Sequence, residues 1–417
     1  MKTHKTDTAK LDLQTVRANF PSLNNDFIFM DNAGGSQTLK GVMDRIVEYL
    51  TNYDVQLGAS YDVSVQAGQV LKETTSRVAS LVNASRPEEV VLGASSTLLF
   101  RILSLCLAED WKEGDEVIVT NSDHEANVSC WTDLRKRGIV VKIWRLNPET
   151  LTFDIDDLQI LLSKKTKLVT MTHASNIIGT INPVKEIGKV VHEAGALFCV
   201  DGVAYAPHRR VDVQELNVDF YVFSFYKVYG PHIAILYGKY DLLKNMAGIN
   251  HYFIGKEDVP YKFQPGGPNY ELTYSLNGII DYLLHLYDCH FSVRNVSLQQ
   301  KFQNTFALFA AHEEDLSRKL LDYLLSKPEI LIFGSKNCDM EIRVPTIAFI
   351  HKKISSDEIV RKVDKYRIGI RHGDFYAKKI AKDFKLEEKN GVVRVSMVHY
   401  NTLAEVERLI ECFEEIL

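Results

Sequence analysis

Asp219-Phe-Tyr-Val-Phe-Ser-Phe-Tyr-Lys227-Val-Tyr-Gly-Pro231 is a run of aromatic and β-branched residues broken by one lysine and closed by a Gly-Pro turn. Its first six residues read as a buried strand, with the lysine three residues beyond it. Upstream, Leu197-Phe-Cys-Val-Asp-Gly202 has the same character, as does Ala234-Ile-Leu-Tyr-Gly238 downstream. Glu116 to Asn121, Val140 to Leu146 and Lys167 to His173 extend the series toward the N-terminus. Between the strands lie amphipathic stretches such as Val184 to Ala194, whose helical spacing stops at Gly195. This alternation, from about residue 85 to 240, predicts an α/β domain on a mostly parallel sheet. Ligands of such sheets sit beyond the carboxyl ends of the strands, so the residues just after each strand carry the functional question.

After about residue 290 the texture changes. A helix-rich stretch from Val296 to Leu325 leads into short strands around Glu341 to His351 and Val392 to Val398, and an amphipathic helix runs from Leu403 to Leu417. The expected division is an N-terminal arm (1–30) belonging to the small domain, a large domain (31–290) and a small α+β C-terminal domain (291–417). The 417 residues carry 49 basic against 54 acidic side chains, a net charge of −5 without the basic footprint of a nucleic-acid binder. No apolar run reaches the roughly 18 residues of a membrane span. The polar start, Met1 to Asp7, is unlike a secretory signal. Six scattered cysteines without a CxxC pair suggest neither a disulfide framework nor a metal site, and a cytoplasmic setting is the expectation.

Five strand ends carry candidate chemistry. Lys227 is flanked by apolar residues, and a lysine held there has a depressed pKa and serves as an imine-forming amine; the plain alternative is a surface charge. Asp201 ends an apolar strand, either as a turn-capping residue or as a carboxylate partner for a protonated ring nitrogen. Gly93-Ala-Ser-Ser-Thr97 precedes an apolar helix, where Ser95 and Ser96 either cap it or bind a phosphate. His124 follows another strand, as a loop residue or a ring stacked on a planar cofactor, and Asn176 follows a third. Cys130 reads as a buried small hydrophobe or as a residue approaching the substrate.

Taken together, these segments resemble the class V, fold-type I pyridoxal-phosphate enzymes, the group that includes the cysteine desulfurases. Asp31-Asn-Ala-Gly-Gly35, Asp123-His-Glu-Ala-Asn-Val128, Ser175-Asn-Ile-Ile-Gly-Thr180, Asp201-Gly202, Ser224 to Pro231, Pro265-Gly-Gly-Pro-Asn269, Val393-Arg-Val-Ser396 and Tyr400-Asn-Thr402 match its motifs in order over nearly the whole chain. Asp201 to His208 and Gly373-Asp-Phe-Tyr-Ala377 look most like the subfamily named cysteine desulfurase-like. The resemblance implies pyridoxal 5'-phosphate as cofactor, bound in the large domain through a Schiff base to Lys227. It implies that Asp201 holds the pyridine nitrogen, that His124 stacks on the ring and that Asn176 reaches its hydroxyl side. Ser95, Ser96 and Ser224 would take the phosphate, and Arg394 the substrate carboxylate. Asn32, Arg371 and Tyr376 would face the substrate, with Arg371 as a second anion contact. A homodimer is implied, its Gly266-Gly267 loop facing the partner's cofactor.

The departures from the family pattern are specific. Tyr376 stands where desulfurases carry the cysteine that accepts sulfur. Ala204 replaces a glutamine, leaving Tyr205 or Asn176 to satisfy the ring oxygen; Tyr226 replaces a histidine, and Gly267 a threonine of the partner's phosphate cup. The expected activity is cofactor-dependent chemistry on a small-molecule amino acid, with C–S cleavage of cysteine or a cysteine-derived substrate favoured. Amino transfer, epimerisation and a non-catalytic scaffold are the alternatives. Gly58 to Tyr61 and the Tyr252 to Phe263 loop are expected to shape the pocket.

Overall fold

The computed structural model describes residues 10–417. The polar start and the first nine residues of the expected arm lie outside the described residues.

Seven strands form the central sheet, in the spatial order Val90–Gly93, Ala234–Gly238, Phe220–Ser224, Leu197–Asp201, Thr166–Thr172, Glu116–Thr120 and Val140–Trp144. Ala234–Gly238 runs antiparallel to both of its neighbours, and the other pairings are parallel. The sheet is therefore the mostly parallel α/β sheet expected of a fold-type I enzyme. Its apolar runs follow from burial on both faces. Phe198, Val200, Tyr221 and Phe223 enter one core, while Cys199, Phe220 and Val222 enter the other, as the two-residue period of a strand requires. The first core is covered by Val184–Glu193, Lys40–Asn52 and Tyr270–His290, the second by Ser96–Leu107 and Ala126–Thr132.

A four-stranded antiparallel sheet stands beside it, in the order Arg371–Gly373, Val392–Ser396, Thr346–His351 and Ile330–Phe333. Helices Leu298–Leu325, Ser356–Val363 and Leu403–Ile416 pack on it around Leu316, Ile347, Phe349, Val395 and Phe413. Thr402 and Glu405 start the last helix with a reciprocal capping box. The strand expected around Glu341 to His351 begins only at Thr346. Before it the chain turns, and the buried Arg343 guanidinium donates to the carbonyls of Ser335 and Thr346. The N-terminal arm divides between the two units. Leu11, Val16, Phe20 and Leu23 belong to the central-sheet core, whereas Ile28–Phe29 pairs in parallel with Ile368–Gly369 and Met30 enters the second core. No described helix is long and apolar enough to cross a membrane.

Helices Lys40–Asn52 and Tyr270–His290 cross backbone to backbone at Gly41 and Gly278. A Cβ on Gly278 would sit 2.5 Å from the Val42 nitrogen and 2.6 Å from the Gly41 carbonyl carbon. Backbone cannot yield as a side-chain tip does, so Gly278→Ala should cost about 1–3 kcal/mol of stability, the usual price of overpacking. Denaturant midpoints of the two proteins check this, and an unchanged midpoint would mean that the crossing relaxes freely.

Candidate active site

Because the neighbouring strands are parallel, their carboxyl ends share one edge of the sheet. Asp201 is the last residue of its strand, and Lys227 ends the single 3-10 turn Phe225–Lys227 that follows the Phe220–Ser224 strand. With Ser96, Thr97, His124, Thr172, Asn176 and Tyr226 they line a narrow crevice of about 50 Å³. It opens into a chamber of about 420 Å³, where Lys227, His124, Asn176 and Tyr226 meet Ala33, Gly34, Arg371, Phe375, Tyr376 and Arg394 from the other side.

Lys227 is buried, and among the described residues its amine has neither a hydrogen bond nor an ion pair; the Tyr226 ring lies 5.7 Å from it. Burial first, and then the Arg394 charge, lower its pKa to about 8 against the opposing pull of Asp201 and Asp31. Asp201 is raised to about 6 by burial, opposed by the Val203 N–H that its Oδ1 accepts at 2.9 Å and by the Lys227 charge. It therefore remains largely ionised at pH 7. His124 is lowered to about 4 by burial and by the charges of Lys227 and Arg394. Its Nδ1 accepts the Ala126 N–H at 3.0 Å, so the neutral ring carries its proton on Nε2. Ser224 Oγ lies 3.1 Å from Ser96 Oγ and accepts the Ser96 N–H at 3.3 Å, at the start of the Ser96–Leu107 helix.

Arg394 is buried. It donates to Asp31 Oδ1 at 2.6 Å and to the Asn176 carbonyl at 3.0 Å, and its guanidinium carbon lies 3.6 Å from the Phe375 ring centroid. Asn176 Nδ2 donates to the Phe375 carbonyl at 2.9 Å. Phe375 and Tyr376 adopt φ of 51° and 61°, and Tyr376 presents an exposed ring at the chamber's edge, 5.4 Å from that of His124.

The structure decides between some sequence alternatives and corrects other expectations. Ser95 caps its helix, accepting the Leu98 N–H at 3.2 Å, and Thr97 lines the crevice instead. Tyr205 turns away from the crevice and stacks on His173 at 3.5 Å, so Asn176 remains the polar group on that side. Asn32 is spent on internal bonds: its amide donates to the carbonyls of Phe29 and Ser396 and to Asn401 Oδ1, and its oxygen accepts from Tyr400. Cys130 is enclosed in the second core, where burial pushes its thiol up, and does not reach the chamber. Gly58 to Tyr61 and Tyr252 to Phe263 lie outside the chamber of their own chain, and so does Gly267, whose loop is expected to face the partner's cofactor rather than its own. The expectations missed Asp31, Thr97 and Phe375. Each lies in a quoted motif, Asp31 at the head of the Asp31-to-Gly35 turn, Thr97 in the turn that also holds Ser96 and Phe375 beside Tyr376.

The unpartnered Lys227 amine, the Asp201 carboxylate, the His124 ring face and the hydroxyl-lined helix start suit a phosphorylated pyridine aldehyde. Fold and site define a fold-type I, pyridoxal-phosphate-dependent enzyme. Residues 28–409 match the family model Aminotransferase class-V, and the chain belongs to that family, whose enzymes use pyridoxal 5'-phosphate. It is 40% identical to the aminotransferase-like protein FGM3 of Gibberella zeae, over 98% of this chain and 100% of FGM3. It is 35% identical to the cysteine desulfurase-like protein ustD of Aspergillus flavus, over 98% of this chain and 91% of ustD. The apo cysteine desulfurase of Thermococcus onnurineus NA1 shares the fold, with a TM-score of 0.85 at 24% identity over 99% of each chain.

An amine with a pKa of about 8 sets a pH signature. Only the neutral amine attacks an aldehyde, so capture of added pyridoxal phosphate by cofactor-free protein should speed up ~10-fold per pH unit below pH 8 and level off above it. Stopped-flow absorbance follows the capture. A rate still climbing at pH 10 would be that of an ordinary solvated lysine.

Proposed function

We propose that this protein is a pyridoxal-phosphate-dependent lyase that cleaves the Cβ–S bond of cysteine or a cysteine-derived amino acid. The observation that carries the reading is the buried, unpartnered Lys227 amine, which shares one cleft with Asp201 and Arg394. The bound cofactor supplies a sink for the electron pair left when the α-proton departs. Asp201 would keep the proton on the ring nitrogen, and His124, neutral at working pH, would support the ring. Ser96, Thr97 and Ser224 would hold the phosphate, and Arg394 would take the substrate carboxylate. Lys227 Nζ would act as the base that removes the α-proton. The Cβ–S pair leaves with sulfur as a thiolate, and water converts the remaining unsaturated amine to a keto acid and ammonium.

The chamber's composition supports elimination over persulfide formation. No cysteine is among its described lining residues, and Tyr376 stands on the loop where a desulfurase presents its acceptor. Direct elimination needs no acceptor thiol. The name of the ustD relative points to sulfur chemistry, while that of FGM3 favours amino transfer, which is the second reading. The proposal includes a cytoplasmic homodimer. The exposed Met43, Val47 and Leu50 of the Lys40–Asn52 helix and the Gly266-Gly267 loop outside its own chamber support the second copy.

Incubation of the yellow holoenzyme with cysteine, cystine and cysteine S-conjugates should release keto acid in equal amount with the sulfur leaving group (sulfide, the persulfide thiocysteine and thiol, respectively), without an added keto-acid acceptor. Lys227→Ala should lower the rate by at least ~10³-fold and abolish borohydride fixation of the cofactor. Turnover only with an acceptor keto acid would replace the lyase by the transferase. A colourless protein indifferent to pyridoxal phosphate would leave only the scaffold.

A further inference from the structure

Arg371 and Arg394 are direct cross-strand partners in the antiparallel pair Arg371–Gly373 and Val392–Ser396. Like charges placed opposite one another repel, and burial of Arg394 sharpens the cost. The structure relieves it with one acid, Asp31. Its Oδ1 lies 2.6 Å from Arg394 and its Oδ2 lies 3.9 Å from Arg371, a contact on the borderline of an ion pair. The acid is held from both sides. Asp31 makes a parallel bridge to Ser396, and Gly34 leaves room for the carboxylate, since a Cβ there would sit 2.9 Å from Oδ2. The Asn176 carbonyl takes a second Arg394 N–H, and Nε is buried without a partner. The guanidinium assigned to the substrate carboxylate is thus already engaged by a carboxylate of the chain itself.

We infer that Asp31 is an internal stand-in for the substrate carboxylate: it neutralises Arg394 before substrate arrives and passes to Arg371 when a substrate carboxylate takes its place. This rests on the assignment of Arg394 to the substrate under the proposed function, but not on the reaction that follows. Asp31 is a positioning and specificity residue. The exchange keeps one negative charge on Arg394 throughout, so the buried cation is never left bare. It also selects substrates. An amine without a carboxylate cannot displace Asp31, whereas an α-amino acid replaces one anion by another at little net cost. Arg371, mostly exposed, is free to turn toward the released Asp31.

Calorimetric titration of the holoenzyme with propionate, which has a carboxylate and no amine, tests the exchange without requiring turnover. Asp31→Asn keeps the shape and removes the competing charge, and it should tighten propionate binding by about tenfold or more. Gly34→Ala, which leaves Asp31 in place but crowds its carboxylate, should shift affinity the same way. Arg371→Gln should weaken propionate binding in the native background and have little effect in the Asp31→Asn background, because no acid then needs receiving. With an accepted amino-acid substrate, Asp31→Asn should lower KM more than it changes kcat. Unchanged or weaker propionate binding in both Asp31→Asn and Gly34→Ala would overturn the exchange, as would an Arg371→Gln effect that persists undiminished in Asp31→Asn. Failure of the lyase assay alone would leave these results intact, so the two readings fail separately.

Discussion

An amine denied its hydration is the constraint to which the rest of the cleft answers. Lys227 is buried without a hydrogen-bond partner, and every charge that acts on it comes from a different part of the chain. Asp201 arrives on a neighbouring parallel strand, Arg394 on the second sheet, and Asp31 on the segment that joins the two. A single charge moved in this group changes how readily the amine loses its proton, because in a buried setting Coulomb terms are weakly screened. Behind Asp201 lies a second buried acid, Asp123, bonded to Thr120 and Asn127 and raised to about 7 by burial and by the Asp201 charge. Two neighbouring buried carboxyls do not both ionise cheaply. The Asp201 charge adds to burial in holding Asp123 above the ordinary carboxyl range, while the Val203 N–H and the Lys227 charge favour the ionised form of Asp201.

The second sheet completes the cleft rather than merely covering it. Arg394 and Arg371 enter from its edge, and the loop between Gly373 and Ala377 is fastened to the large unit through its carbonyls. Phe375 accepts from Asn176, and Tyr376 accepts the Glu125 N–H at 2.8 Å. These bonds explain why two successive non-glycine residues hold positive φ there. The left-handed conformation turns both carbonyls toward donors on the central-sheet side, and that gain offsets local backbone strain. The loop cannot move away from the cleft without freeing the Asn176 amide and uncovering the Arg394 face.

The parts legible in the sequence were those that local pattern determines. A fully buried run such as Phe220–Ser224 announces a two-sided strand, and the residue at its end is placed by topology, so Lys227, Asp201, His124 and Asn176 converge as strand-end logic expects. Ser95 and Thr97 show where this logic ends: the turn was found, but which hydroxyl caps and which faces the crevice depends on the first helical turn. Tyr205 failed for a related reason. The tight turn after Asp201, with Ala206 N–H bonded to the Gly202 carbonyl at 2.9 Å, sends Val203 and Ala204 toward the crevice and Tyr205 to the opposite side. Asn32 and Asp31 are adjacent, and both are decided by partners near the other end of the chain. Asn32 turns inward to Ser396 and Asn401, while Asp31 turns outward to Arg394. Nothing local distinguishes them.

Tyr376, at the position where the family resemblance leads one to expect an acceptor cysteine, acquires its meaning from this geometry. A sulfur acceptor must be mobile and reach the substrate as a thiolate. Here the backbone of the position is bonded to Glu125, the side chain is an aryl ring lying beside His124, and Cys130 is enclosed among Trp131, Leu134 and Cys199. The reactive groups lining the chamber are the amines of Lys227 and Lys378, the imidazoles of His124 and His372, the Asp374 carboxylate, the phenols of Tyr226 and Tyr376 and the guanidinium groups of Arg371 and Arg394, which serve proton transfer and ion binding but not sulfur capture. Under the proposed reaction the leaving sulfur departs to solvent or to an acceptor that enters from outside. The chain's own contribution is then confined to choosing the substrate by its carboxylate and moving one proton from its α-carbon. The Lys227 amine and the Asp31–Arg394 pair are placed for those two tasks.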